Sequence, residues 1–311
     1  MMINMLNSDH RHSLNKPIGA DLHTMKKFLF PTDFSANAKH ALDYGYSLAK
    51  QVKANIIICN AITEPAEVPQ AGFVGWPVEE SELLLLDSKN ELKLLKKHLE
   101  DKEQTISFNP LITYENQAGT VVDMVNHLGK EHDIGLVIIG AHGNSGLSTF
   151  LLGNHSRELI DEVNRPLLLI PPTAKIKPIK KIAFATDLHN IAEDLECIYQ
   201  LIAFARPLNA EILIMNVFDE EQHDPKKMMD ELSNKANYPQ IYYRLVKAHR
   251  PEDGLDWLCE HGLVDIVAMV HRDHNFIDSL FRGSQTQKMA EHTTTPLLVF
   301  PAKQNNNEKL N

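Results

Sequence analysis

The chain has 311 residues, 43% of them hydrophobic and 23% charged, with a formal net charge of −10 at pH 7. That length suits two domains, each able to bury its own core, and the acidic balance argues against nucleic acid or an anionic membrane as the main partner. Cys59, Cys197 and Cys259 are odd in number and far apart. They make neither a disulfide framework nor a CxxC pair, which points to buried, inert thiols and a reducing, cytoplasmic setting. No apolar run approaches the roughly 18–20 residues of a membrane span.

Residues 1–24 are polar and lack the apolar core of a signal peptide, so a disordered extension is expected ahead of the first strand, with Met25 an alternative start. The first strand is Lys26–Phe30, leading into Pro31-Thr32-Asp33-Phe34-Ser35, where Ser35 suits a helix cap. Ala38, Ala41, Leu42, Gly45, Leu48, Ala49 and Val52 then follow helical spacing. Asn55–Cys59 is a β-branched run and reads as a second strand. Residues 62–78 carry three prolines and two glycines, a loop over the expected ligand crevice. Glu79–Glu103 reads as a leucine-rich helix and Ser107–Tyr114 as a third strand. Thr120–Gly129 is a short helix, with Thr120 and Asp123 at capping-box spacing.

Leu136–Ile139 has the length and flanks of a buried parallel strand. It runs into Gly140–Ser156, rich in glycine, followed by a helix over Arg157–Val163 and a last strand over Leu167–Ile170. Glycines between a strand's carboxyl end and a helix's amino end mark the place where an open α/β sheet binds anions. The βαβαβαβαβ order is that of a five-stranded doubly wound parallel sheet.

Pro171–Lys181 is rich in proline and lysine and reads as a linker. The pattern then restarts. Lys26-Lys27-Phe-Leu-Phe-Pro-Thr32-Asp33 returns as Lys180-Lys181-Ile-Ala-Phe-Ala-Thr186-Asp187, and Asn60-Ala61 returns as Asn216-Val217. Gly153 returns as Gly283, and Pro166–Pro171 as Pro296–Pro301. Elements recurring in one order signal a duplicated domain. The predicted organisation is an extension (1–24), domain 1 (25–172), a linker (173–179), domain 2 (180–303) and a disordered tail (304–311). The second copy lacks most of the 62–78 loop and the full-length helix after it.

These residues resemble the universal stress protein family, as a tandem two-domain member. The resemblance covers Lys26–Pro171 in the first copy. It rests on the strand ending Pro31-Thr32-Asp33-Phe34-Ser35 together with Gly-x2-Gly-x9-Gly, met by Gly140, Gly143 and Gly153. It implies an adenine-nucleotide-binding α/β domain of strand order 3-2-1-4-5, paired with its copy through edge strand five, Leu167–Ile170 beside Leu297–Phe300. It also implies that ATP or AMP, with or without Mg²⁺, is held in domain 1. By position the nucleoside contacts fall to Thr32 and Asp33, the adenine contact to the Ala61 backbone, and the ribose and phosphate contacts to Gly140, Gly143 and Gly153. Loop neighbours His142, Asn154, His155 and Ser156 join the candidate set.

Two departures qualify that picture. Asn154 stands where the family has Ser or Thr. It can cap a helix or donate to phosphate, but it cannot accept a phosphoryl group as a hydroxyl does. In the second copy Val270 and Asp273 replace the first two glycines, where bulk and negative charge oppose a phosphate. Domain 2 is therefore expected to be mainly structural, and the contrast suggests that the glycines serve a ligand and not the fold. His271, Asp273 and His274 offer three metal-type ligands without a fourth, too few for a metal assignment. No Walker loop, HExxH or nucleophile elbow occurs. The reading is an adenine-nucleotide-binding module acting through a protein partner, an intrachain pseudo-dimer with room for a homodimer, and no catalytic residues. The alternatives are a slow ATPase or self-phosphorylating enzyme, and a nucleotide-free scaffold.

Overall fold

Lys27–Pro31 (β1) turns Phe28 and Phe30 to one face of a sheet and Leu29 to the other, and all three are buried. A strand covered by helices on both sides needs such a run. Around β1 the chain lays α1 (Ala36–Val52), β2 (Asn55–Ile62), α2 (Val78–Glu100), β3 (Ile112–Ala118), α3 (Val121–Glu131), β4 (Leu136–Gly140), α4 (Asn154–Glu162) and β5 (Leu167–Ile170). The second half adds β6 (Lys181–Thr186), α5 (Ile191–Leu208), β7 (Glu211–Phe218), α6 (Lys226–Lys235), β8 (Ile241–Lys247), β9 (Ile266–His271) and β10 (Leu297–Pro301). The computed structural model describes residues 26–62, 78–102, 108–141, 154–186, 188, 190–218, 226–247, 264–271 and 295–301.

All ten strands join one sheet, in the order β3-β2-β1-β4-β5-β10-β9-β6-β7-β8. Each half thus has the order 3-2-1-4-5. Pairing is parallel within each half, and β5 meets β10 antiparallel, with Leu167 opposite Val299, Leu168 opposite Leu298 and Leu169 opposite Leu297. The expected doubly wound α/β fold and edge-strand seam are both present.

The apolar layers on the two faces of the sheet run on across the seam. One apolar layer takes side chains from α1, α2, α5 and α6, and the other from α3 and α4, and each layer includes strand residues from both halves. The seam explains this: alternating leucines of β5 and β10 extend both layers across it. The linker is not a solvated spacer. Ala174 and Ile179 are buried, and Asp265 beside β9 anchors the segment. Its carboxylate accepts from the backbone N–H of Lys180 and Lys181 at 2.8 and 2.9 Å and pairs with Lys177 Nζ at 2.6 Å.

Local signals explain most boundaries. Ser35 caps α1 by accepting from Ala38 N–H, and Thr120 caps α3 by accepting from Asp123 N–H. The third strand sits later than the sequence suggests, at Ile112–Ala118 instead of Ser107–Tyr114. It is an edge strand, so its carboxyl half, Glu115-Asn116-Gln117-Ala118, lacks the apolar run that marks an inner strand. Pairing with β2, from Ile56–Ile112 to Ile62–Ala118, sets its register. The helix after the glycine loop begins earlier than predicted, at Asn154.

Candidate functional site

The strand order reverses between β1 and β4: from β1 the chain builds outward through β2 and β3, then crosses to β4 on the other side. A doubly wound sheet opens its ligand crevice at such a switch point, beyond the strands' carboxyl ends. Thr32 and Asp33 follow β1 there, and Gly140 ends β4.

The turn after β1 is built from its own side chains. Phe34 N–H donates to Thr32 Oγ1 at 3.0 Å, and Ser35 N–H donates to Asp33 Oδ1 at 3.0 Å. Phe34 adopts φ 63°, a left-handed conformation unusual for a bulky residue and typical of sites that surrounding structure holds in place. Asp33 is exposed at the crevice while one of its oxygens steadies the entry to α1. Of the two readings of a carboxylate here, turn-former and ligand contact, the turn-former is the one its hydrogen bond displays.

A chain of hydrogen bonds that the sequence did not reveal ties the floor of this crevice together. Ser88 Oγ on α2 donates to Asn60 Oδ1 at 2.8 Å, and Asn60 Nδ2 donates to Thr32 O at 2.7 Å. Asn116 Nδ2 on β3 donates to Leu85 O of α2 at 2.7 Å. The ends of β1, β2 and β3 are thus fastened to one helix. Ala61 follows Asn60 in β2, partly buried and paired with Gln117.

Gly140 has a role unlike the one expected. A Cβ built on it would lie 2.6 Å from the Asn37 carbonyl oxygen and 2.8 Å from its carbon, in the first turn of α1. Gly140 therefore lets α1 approach β4 closely, which is a fold requirement. In the second half the register places Val270 opposite Thr186, as Gly140 stands opposite Thr32. There the turn is one residue longer: α5 begins five residues after Thr186, whereas α1 begins four after Thr32. The Asn37 contact is a packing reason for glycine at 140, so the contrast between copies no longer shows that Gly140 serves a ligand alone.

His142, Gly143 and Gly153 lie outside the described residues, as does the 63–77 stretch. Asn154 and His155 form the first turn of α4, and Ser156 beside them is buried. At the equivalent crevice of the second half, Leu188 N–H donates to Thr186 Oγ1 at 2.9 Å and Leu188 has φ 60°, repeating the Thr32–Phe34 turn. The difference is Asp194 in the first turn of α5, fully buried and accepting from Thr186 Oγ1 at 2.6 Å. Asp187, Asp273, His274, Gly283 and Ser284 lie outside the described residues.

His271 ends β9, and its Nε2 lies 3.0 Å from Asp161 Oδ1 of α4, an ion-pair geometry across the seam. Glu115 of β3 gathers with Glu131 and His132 at the end of α3, their ligand atoms within 4.8 Å of one another and largely exposed. Their arrangement is accounted for by the His132–Glu115 contact at 3.3 Å. Cys59 is buried, and burial with the nearby Glu115 carboxylate pushes its thiol pKa well up, leaving it inert. Cys197 is buried too. No helix is long and apolar enough to cross a membrane among the described residues.

Fold and crevice together define an open, doubly wound α/β sheet with its candidate site at the β1/β4 switch point. The universal stress protein family pattern matches residues 24–171. A universal stress protein of Methanocaldococcus jannaschii is 27% identical over 159 residues, spanning 47% of this chain and 94% of the relative. Among solved structures, a universal stress protein of Archaeoglobus fulgidus superposes with a TM-score of 0.61 at 15% identity, over 89% of this chain and 98% of that one. A protein of unknown function from Pseudomonas aeruginosa gives 0.54 at 12% identity, over 90% and 94%. Both structural likenesses speak to the fold, and they extend across both halves.

Proposed function

We propose that the first half of the chain is an adenine-nucleotide-binding module and that the second half is chiefly structural. The observation that carries this reading is the convergence of Asp33, Gly140 and the start of α4 on the β1/β4 switch point. A helix amino end with free N–H groups suits phosphate, and a carboxylate at the end of β1 suits ribose hydroxyl or amino donors. The family resemblance supplies the adenine specificity and the choice between ATP and AMP. The residues fit such a ligand: the first half places no described buried carboxylate at the crevice floor. In the second half Asp194 is buried there and accepts from Thr186 Oγ1.

The domains under this reading are 25–172 and 180–303, and occupancy of the first acts through a protein partner. Binding without turnover is favoured, because no described side chain at the crevice is placed as a base for water, and Asn154 lacks the hydroxyl that self-phosphorylation requires.

Calorimetry of the full chain with ATP and with AMP is expected to give about one site per chain, lost in Asp33→Ala and in Gly143→Val. Two equal sites, or none, would overturn the proposal. Steady ATP hydrolysis that disappears with the Gly143 change would instead make the protein an enzyme.

A further inference from the structure

Helix α2 presents two apolar faces. Its inner face, Ser88, Leu92, Leu95 and Leu99, is buried against the sheet. On its outer face Leu83, Leu86 and Leu94 are 58%, 53% and 60% exposed, with Leu84 at the margin 45% exposed. At about 100° per residue, Leu83, Leu86 and Leu94 fall within roughly 80° of one another, while the buried positions lie about 120–180° round the helix from Leu83. Packing against the sheet therefore does not explain these leucines. Single exposed leucines are ordinary, but an aligned stripe opposite the core marks a contact surface.

Among the exposed residues around the leucine stripe, charge is sorted by position: Glu82 and Asp87 lie toward one end and Lys93 and Lys97 toward the other, while Lys96 and His98 are engaged within the chain by Glu100 and Asp43. One surface with an apolar centre, an acidic end and a basic end is complementary to itself when turned end for end. That is the condition for an isologous contact about a two-fold axis. A nucleic acid or an anionic membrane would meet the acidic end as well, on a chain of net charge −10.

We propose that α2 is the contact surface between two copies of this chain, packed antiparallel through Leu83, Leu86 and Leu94. Leu83 and Leu94 are eleven residues apart, so a two-fold axis midway between them, near residues 88–89, brings Leu83 of each copy onto Leu94 of the other. In the same register Leu86 flanks the axis, Asn90 comes beside the partner's Asp87, and Glu82 comes between the partner's Lys93 and the partner's Lys97. Parallel packing would set acid against acid and base against base. The seam between β5 and β10 is satisfied within one chain, so this contact is separate from it and joins two complete ten-stranded sheets.

Sedimentation velocity of the full chain across a concentration series tests the proposal. The wild type is expected to pass to a species of twice 35.2 kDa as concentration rises. Leu86→Asp and Leu94→Glu are expected to raise the dimer dissociation constant by at least about tenfold, since each buries an unpaired charge. Circular dichroism confirms that these exposed changes leave the fold intact. A charge-exchange pair separates this contact from general stickiness. One variant is Glu82→Lys with Asp87→Lys, and the other is Lys93→Glu with Lys97→Glu. Each alone is expected to be monomeric, and their mixture to form the heterodimer. A wild-type monomer at all concentrations, a dimer unmoved by the leucine changes, or a mixture that fails to associate would overturn the assignment.

Discussion

Replacing Gly140 by alanine separates packing from ligand binding more cleanly than any other change in the first half. The added Cβ would stand 2.6 Å from the Asn37 oxygen and 3.1 Å from the Ala38 nitrogen, where ordinary contact begins at 3.4 Å. The gap to be made is 3.4 − 2.6, or 0.8 Å, and the obstructing atoms are helix backbone, which no rotamer change moves. Either the first turn of α1 shifts or the end of β4 does. Overpacking of this kind costs about 1–3 kcal/mol. Urea unfolding followed by circular dichroism is expected to show the midpoint falling with an unchanged slope, in the absence of any nucleotide. The turn that Ser35 caps through Ala38 N–H moves with α1, so nucleotide affinity is expected to fall as well. An alanine variant as stable as the wild type, but weakened in nucleotide binding, would refute the packing argument and return Gly140 to a purely ligand role. Val270→Gly is the matched control, and it is expected to cost only the modest loss from deleting a buried apolar side chain and loosening a strand.

Ser88→Ala removes the donor to Asn60 Oδ1 and leaves that acceptor short of a partner, at a cost of about 1–2 kcal/mol; an unchanged urea midpoint would show that the chain of bonds does not lock the crevice floor. Asp265→Asn tests the anchor of the linker. Burial by itself raises the Asp265 pKa, but the side-chain hydrogen bond from Lys177, the two backbone N–H bonds and the Lys177 charge outweigh it and hold the carboxyl below its ordinary 3.8. With the folded value depressed, its stabilisation is complete above the unfolded pKa and is lost as pH falls through the folded one. The wild type is therefore expected to exceed Asp265→Asn in thermal midpoint near neutrality, by the equivalent of about 1–3 kcal/mol, and to converge with it as pH falls through the depressed folded pKa. A gap that stays constant to acid pH would sink this account. Gly45→Ala places a Cβ against the ring of Phe30 and 3.0 Å from Ile138 Cδ1. The expected loss is about 1–3 kcal/mol, and an unchanged midpoint in differential scanning calorimetry would show that the ring yields freely.

The sheet was legible because its inner strands carry it in their composition. Apolar runs such as Phe28–Phe30 and Leu136–Ile139 are long enough to be covered on both faces, the repeated strand endings pointed to a duplication, and the family resemblance implied the seam. What escaped had physical reasons. The polar end of β3 looks like loop because an edge strand need satisfy only one neighbour. Ser88 is a lone serine in a leucine-rich helix, and its bond to Asn60 depends on a packing angle that no spacing encodes. Ala174 and Ile179 sit among lysines and prolines, so their burial follows from the seam and from Asp265, whose position in the chain is remote. The candidate site was legible as a place, at Thr32, Asp33 and Gly140, but the division of labour among those residues was not.

That division emerges when the two halves are compared atom by atom. Both keep a threonine at the end of strand one whose hydroxyl accepts from the N–H two residues on, and both hold a non-glycine residue at φ near 60° there. A feature retained in a half that lacks two of the loop glycines belongs to the fold: it turns the chain from strand into helix. The features that differ are the position of Gly140 against Val270, the length of the turn, and the buried Asp194. The one-residue difference in turn length and the Asp194 carboxylate that accepts from Thr186 Oγ1 set the second turn apart from the first, where the Cβ-free Gly140 lies against the Asn37 carbonyl. The shared threonine turn therefore belongs to the fold, and what differs between the halves lies in how the following helix meets the fourth strand.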